Sequence, residues 1–257
     1  MIVLVLLLIG GLLAAACRWQ FWRPAKKGLL ALMYHHIGHT EKTDEQYPFT
    51  IPPQQFEKQL DLLAKHGFTP IGINTLEEVR QTGKPLPEKP VLLTFDDGYQ
   101  DAFTALFPIL QKRRIPAVIF LITDYIGKKE GYLTWEQVYQ MKQSGLVDFG
   151  SHTCGHLRLR SLEEKDILYQ LTESKKVLEE KLNVPCLAFC YPFGAGGFDK
   201  RVRPLVFQAG YAYDFSTKPG INPWPWKNKK TIYRAFPRGG ETLTDFYIQI
   251  TRGKSKF

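Results

Sequence analysis

Val91-Leu92-Leu93-Thr94-Phe95-Asp96-Asp97-Gly98 runs from a short apolar stretch straight into two adjacent carboxylates and a glycine. Four to eight apolar residues bounded by a turn signal describe a strand buried on both faces, as in a parallel sheet. The carboxyl edge of such a sheet is where α/β proteins place their chemistry. Two neighbouring carboxylates there stay ionised together only when positive charge answers them. In isolation, an Asp-Asp-Gly turn that merely caps a helix would read the same way, so the rest of the chain has to decide.

Outward from this stretch the pattern repeats. Apolar runs at 29–34, 117–122, 147–150, 187–191, 212–216 and 232–236 join 91–95 to give seven predicted strands. Between them, 54–66 has helical periodicity and stops at Gly67, while Thr134 with Gln137 and Ser161 with Glu164 fit capping boxes opening two more helices. Leu168, Leu171, Leu178 and Leu182 keep one apolar face on the helix that Ser161 opens. Alternating strands and helices predict an α/β barrel or doubly wound sheet, and 257 residues suit one such unit. With 44% hydrophobic and 23% charged residues, the chain is neither disordered nor a polytopic membrane protein. The net charge of +9 suits an anionic surface, but the basic residues are scattered in pairs and no nucleic-acid motif is present. Cys17, Cys154, Cys186 and Cys190 form neither a disulfide framework nor a zinc-ribbon spacing.

The first 23 residues form a segment apart. Residues 2–17 are apolar or small without interruption, and Arg18, Trp19, Phe21, Trp22 and Arg23 follow. The run falls between a secretory signal and a short anchor, and the aromatic and basic flank favours an uncleaved anchor. Ala14-Ala15-Ala16-Cys17 leaves a lipoprotein signal open as a third reading. The basic residues all follow the run, so the positive-inside rule alone would put the domain in the cytoplasm; this opposes the export that a signal or lipoprotein segment implies. The expectation is a membrane-associated, extracytoplasmic protein of bacterial type, with 1–23 as membrane segment and 24–257 as one catalytic domain.

Two further strand ends carry chemistry. Asp148-Phe149-Gly150-Ser151-His152-Thr153-Cys154-Gly155-His156 places two imidazoles four residues apart, a pair that can converge on one metal if the segment turns. With Asp97 they would make a two-histidine, one-carboxylate site with open positions; Cys154 would sit between them, turned away. Phe189-Cys190-Tyr191-Pro192-Phe193-Gly194 runs a strand into a turn able to aim backbone N–H groups into a cleft, as an oxyanion requires. An ordinary strand-to-loop turn would look alike.

Taken together, Thr-Phe-Asp-Asp-Gly at 94–98, Ser-His-Thr-x-x-His at 151–156 and Tyr-Pro-Phe-Gly at 191–194 resemble the polysaccharide deacetylase family, the NodB-homology domain of carbohydrate esterase family 4. The resemblance spans roughly residues 29–240. It implies a distorted seven-stranded (β/α) barrel that removes acetyl groups from sugars, with a divalent metal, zinc first, on Asp97, His152 and His156. By the same resemblance Asp96 is the general base, and the N–H of Phe193 helps hold the oxyanion. Tyr34-His35-His36-Ile37 resembles the branch acting on poly-N-acetylglucosamine, in which a first-strand histidine faces the metal.

Two departures from the family pattern matter. No histidine follows His156 to protonate the leaving amine, which makes His35 the expected acid, with His36 as its alternate because strand alternation turns only one inward. The arginine that orients the base in common members is replaced by Cys190, and Arg234 or Arg238 is the substitute to look for. Asp214 is a candidate for the fourth motif or a turn residue. Tyr191, Trp224 and Trp226 are the expected substrate contacts, the tryptophans stacking on sugar or resting on headgroups. The substrate expected is an N-acetylhexosamine glycan at the cell surface. A lipid-linked aminosugar, deacetylated or deformylated, is the second reading, and a non-catalytic glycan-binding barrel is the third.

Overall fold

The computed structural model describes residues 2–19, 24–225 and 231–254. Among the described residues nine strands follow in chain order: β1 (Leu30–Tyr34), β2 (His36–Ile37), β3 (Thr50–Ile51), β4 (Thr69–Pro70), β5 (Pro90–Phe95), β6 (Ala117–Leu121), β7 (Val147–Ser151), β8 (Ala188–Cys190) and β9 (Tyr213–Phe215). Eight α-helices accompany them: α1 (Ile2–Trp19), α2 (Pro53–Lys65), α3 (Ile73–Thr82), α4 (Phe107–Arg113), α5 (Trp135–Gln143), α6 (Glu164–Leu182), α7 (Val202–Gln208) and α8 (Leu243–Arg252).

The main sheet is parallel and seven-stranded, in the order β1-β5-β6-β7-β8-β9, with β4 beside the beginning of β5. It curls until its ends approach. Residues 232–235 run between them, bridging Phe215 to Ile232 on one side and Leu32 to Ala235 on the other. Ala235 both donates to Ala31 O and accepts from Met33 N–H, at 2.8 Å each. The predicted run 232–236 is therefore a bridging segment rather than a full strand, and the seventh strand of the sheet is Thr69–Pro70, too short and polar to carry an apolar signature.

Strand alternation sorts the core into two layers. Ala31, Leu92, Val118, Phe120, Ala188 and Phe215 fill the inside of the curl, closed at one end by Ile73 and Leu76 of α3. Leu32, Leu93, Phe95, Ile119 and Phe189 face outward under Phe56 and Leu60 of α2, Leu110 of α4, Met141 of α5 and Leu171 of α6. Each such fully buried aliphatic or aromatic side chain contributes about 1.5–3 kcal/mol relative to exposure. Thr94 and Asp96 share the inward parity of Leu92, so the strand's register delivers them to the open end of the curl.

Helix starts test the capping expectations. Thr134 caps α5 with a complete capping box to Gln137. Ser161 does not cap α6. It ends a 3₁₀ turn (Leu159–Ser161) whose Ser161 N–H is bonded to Arg158 O, and α6 begins at Glu164 without a side-chain cap. Helix α1 is 18 residues long, about 27 Å at 1.5 Å per residue against a hydrocarbon core of about 30 Å. Among the described residues no helix is long and apolar enough to cross a membrane.

Candidate active site

The ends of β5 and β7 and the turn after β8 meet at the open end of the curl. Asp97 leaves β5 at φ 74°, and Thr153 and His156 follow β7 at φ 69° and 58°. Non-glycine residues held in the left-handed region cost energy and persist where surrounding contacts fix them. Here the surroundings are explicit: Thr153 Oγ1 accepts from His156 N–H at 2.9 Å, and the buried Gln170 side chain accepts from the N–H groups of Cys154 and Gly155 at 3.1 and 3.0 Å. The result is convergence. Nε2 of His152 and Nε2 of His156 each lie 3.3 Å from Asp97 Oδ1, yet that buried oxygen has no hydrogen-bond partner.

Three ligand atoms aimed at one point without bonding one another are what a cation needs. Metal–nitrogen and metal–oxygen bonds of about 2.0–2.1 Å at tetrahedral angles separate ligand atoms by roughly 3.3 Å, so these residues fit a zinc-sized ion. His152 Nδ1 lies 2.8 Å from Cys190 O, a contact that places the ring proton on Nδ1 and turns the Nε2 lone pair inward. Burial, then the neighbouring His152, pushes the His156 imidazole down to about 4. Burial opposes charge on Asp97, but the His152 side chain and the other histidines override it and hold the carboxyl well below its ordinary value.

A second cluster, Asp96 with His152 and Cys190, has metal-like spacing but different chemistry. Both oxygens of Asp96 are taken by Arg234, Nη1 to Oδ1 at 2.6 Å and Nη2 to Oδ2 at 2.7 Å, and the guanidinium also reaches Thr94 Oγ1, Ser216 O and Cys190 Sγ. Arg234 is fully buried. Burial would raise the Asp96 carboxyl, but the Arg234 charge and hydrogen bonds keep it below the carboxylate range. Of the two arginines the sequence offered, Arg234 is the one on Asp96, because residues 232–235 lie beside β1 with alternate side chains turned inward. Arg238 instead stacks on Phe236, at 5.2 Å.

His35 and His36 divide as alternation requires. His36 turns outward, its Nδ1 2.6 Å from Asp101 Oδ2 and its ring 3.8 Å from that of Tyr99. His35 turns in, between the rings of Phe49 and Phe236 at 5.0 and 5.7 Å, with a buried Nδ1 that has no partner. Burial lowers its pKa, and the charges of Asp96 and Asp97 pull the other way.

The remaining expectations separate. Phe193, at φ 56°, is half exposed on the rim, its ring 4.5 Å from that of His156 and 4.0 Å under the Arg158 guanidinium. Tyr191 is fully buried and donates from its hydroxyl to Asp214 at 2.9 Å, so its ring is a core element rather than a glycan contact. Asp214 is buried too, bound also by Thr231 and Arg203, and stands outside the metal cluster. Trp224 packs against the inner core beside Asn222, which pairs with Leu29 at the beginning of β1, the end opposite the site. Trp226 lies outside the described residues. Cys154 bonds Gln170 O and belongs to neither ligand cluster found among the described residues, and burial pushes its thiol up to about 11. Phe49, Phe236 and Gln170 escaped the sequence reading; only Gln170 left a signal there, as a polar residue on the apolar face of α6.

Comparisons with known proteins point to one family. The profile of the polysaccharide deacetylase family matches residues 83–213. YxkH of Bacillus subtilis strain 168, which carries the polysaccharide deacetylase name, is 31% identical over 198 residues, covering 77% of this chain and 67% of its own. The poly-beta-1,6-N-acetyl-D-glucosamine N-deacetylase of Staphylococcus aureus strain MSSA476 is 26% identical over 209 residues, covering 73% of this chain and 71% of its own. The Streptococcus pyogenes deacetylase PplD, solved with acetate, superimposes with a TM-score of 0.77 at 23% identity, covering 89% of this chain and 99% of its own.

Proposed function

The chain belongs to the polysaccharide deacetylase family, and we propose that it removes N-acetyl groups from N-acetylhexosamine units of a cell-surface or exported glycan. The observation that carries this reading is the convergence of Asp97, His152 and His156 on one point beside an Asp96 carboxylate fixed by Arg234. A divalent cation held by Asp97, His152 and His156, zinc by the nitrogen-rich ligand set, supplies Lewis acidity that makes water nucleophilic near neutral pH and polarises the acyl oxygen.

The chain's own residues do the rest. Asp96, ionised throughout the working pH range, accepts the proton of the attacking water on the lone pairs that Arg234 leaves open. The Phe193 N–H donates to the oxygen that becomes negative as the carbonyl carbon turns tetrahedral. Burial lowers the His35 pKa, so its nitrogen is free to take up the proton that Asp96 accepted from water and to pass it to the leaving nitrogen, which returns both groups to their starting states. The products are acetate and a free amino sugar.

The name of the Staphylococcus aureus relative supports poly-N-acetylglucosamine as the glycan. For location, residues 1–23 act as a membrane-directed segment and the barrel works on the extracytoplasmic side. Supporting this, the described leucines of α1 are more than 60% exposed, an apolar surface that the barrel does not cover. Acetate release from N-acetylglucosamine oligomers tests the activity: the zinc-loaded protein should release it and chelator should stop it. Chelator-insensitive release would overturn the metal-dependent reading.

A further inference from the structure

Along the rim from Phe193, the next concave surface is basic. A cavity of about 370 Å³ opens between Gly194, Gly196 and Arg160 and runs under Phe198. It adjoins a second of about 580 Å³ that shares Phe198, Asp199 and Lys200 and continues to Arg203 and Tyr233. Phe198 is 55% exposed. Lys218 holds its ammonium 4.9 Å over the Phe198 ring and 5.3 Å over that of Tyr233.

Charge is unevenly answered here. Asp199, the one carboxylate among the described residues lining these cavities, accepts from the N–H groups of Arg201 and Val202 and lies 3.5 Å from Arg160. Arg203 is held by Asp214 from behind. Lys200 and Lys218 make no ion pair with any described residue, and both are exposed. Phe198, more than half exposed, offers aromatic surface that suits the apolar face of a sugar ring. A neutral glycan has no use for the two ammonium groups; a dianionic phosphate does, and lysine binds phosphate as a point charge.

We propose that this rim cavity is a subsite for a phosphate-bearing saccharide unit of the substrate, with Phe198 under the sugar and Lys200 and Lys218 on the phosphate. The inference rests on the deacetylase reading and adds to it a preference for units carrying phosphate near the acetamido sugar. That phosphate has two sources, a phosphate on the glycan itself or the diphosphate of a lipid-linked sugar.

The test uses the full, zinc-loaded chain and three substrates: an N-acetylglucosamine tetramer, the same tetramer bearing a 6-phosphate, and a polyprenyl-diphosphate-linked N-acetylhexosamine in detergent. A phosphorylated substrate should be preferred roughly tenfold in kcat/KM, through KM, and the preference should shrink as salt rises. Lys200→Ala with Lys218→Ala should erase the preference while leaving hydrolysis of the neutral tetramer unchanged. Preference for the phosphotetramer assigns glycan phosphate, and preference for the lipid-linked sugar alone assigns the carrier. Equal kcat/KM for all three, or a preference that survives the double substitution, overturns the subsite. If none is hydrolysed, the deacetylase reading fails separately. Calorimetric binding of the phosphotetramer then decides the subsite, supported if the double variant loses it and overturned if binding is absent or unchanged.

Discussion

Asp96 and Asp97 are one peptide bond apart and occupy opposite electrostatic surroundings. Asp96 faces Arg234, a permanent cation that grips both its oxygens. Asp97 faces two imidazoles that approach one of its oxygens without bonding it. Both carboxyls are held low, but for different reasons, and the reasons assign the roles. A carboxylate gripped once at each oxygen by a guanidinium keeps its place and still has lone pairs to accept a proton; one with an unpartnered oxygen between two imidazoles suits a cation. Strand geometry enforces the split, since the alternation that ends β5 sends Asp96 inward and the left-handed turn at Asp97 carries its side chain toward β7.

The most severe way to break this comparison is from the imidazole side. His152→Ala removes a ligand and its anchor on Cys190 O, so the protein should lose bound zinc, and with it acetate release by about a thousandfold or more. From the arginine side, Arg234→Ala strands Asp96 as a buried unpaired charge. Stability should fall by about 3–5 kcal/mol, read by denaturant unfolding, while the zinc content of the folded fraction stays. Arg234→Lys, which keeps charge but not the two-point grip, should recover stability better than turnover. His35→Ala should slow amide hydrolysis by about 10²-fold or more and spare activated esters, whose leaving groups need no proton. Equal loss on both would remove His35 from the acid role.

The comparison also has a pH signature. The folded His156 pKa of about 4 is below the unfolded imidazole value of about 6.5. Between these values the unfolded chain binds the extra proton, so the metal-free protein should lose stability as pH falls through this window, and because zinc needs both imidazoles neutral it should be released as pH falls. Melting temperatures of metal-free and zinc-loaded protein across pH 4–7 check both statements. The smallest effect is expected at Trp224: Trp224→Ala should leave kcat/KM within about twofold, because the residue packs at the far end of the barrel.

How much of this was legible beforehand follows from locality. The proposed metal-binding residues lie at the ends of two apolar strands, and a buried strand announces itself in a few consecutive residues, so Asp97, His152 and His156 could be picked out by reading. The inward turn of His35 follows from alternation once the strand is known. Arg234 was harder: it acts across 138 residues of sequence, from a segment whose two flanking bridges are formed only when the sheet curls. Sequence could narrow the choice to Arg234 or Arg238, but only closure of the barrel selects between them. Tyr191 and Trp224 misled for a related reason. Aromatic residues look like sugar platforms, whereas tertiary packing uses one as a hydroxyl partner for Asp214 and lays the other, partly buried, against the inner core at the opposite end. The Ser161 cap failed because a 3₁₀ turn claimed that serine first.

The division of labour between the two carboxylates is the central claim, and the most direct measurement is zinc content together with acetate release from N-acetylglucosamine oligomers for Asp96→Asn and Asp97→Asn side by side. The account predicts that Asp96→Asn binds about one equivalent of zinc and releases no acetate, while Asp97→Asn fails to hold zinc. Zinc retained with activity in Asp97→Asn, or zinc lost from Asp96→Asn, would contradict it.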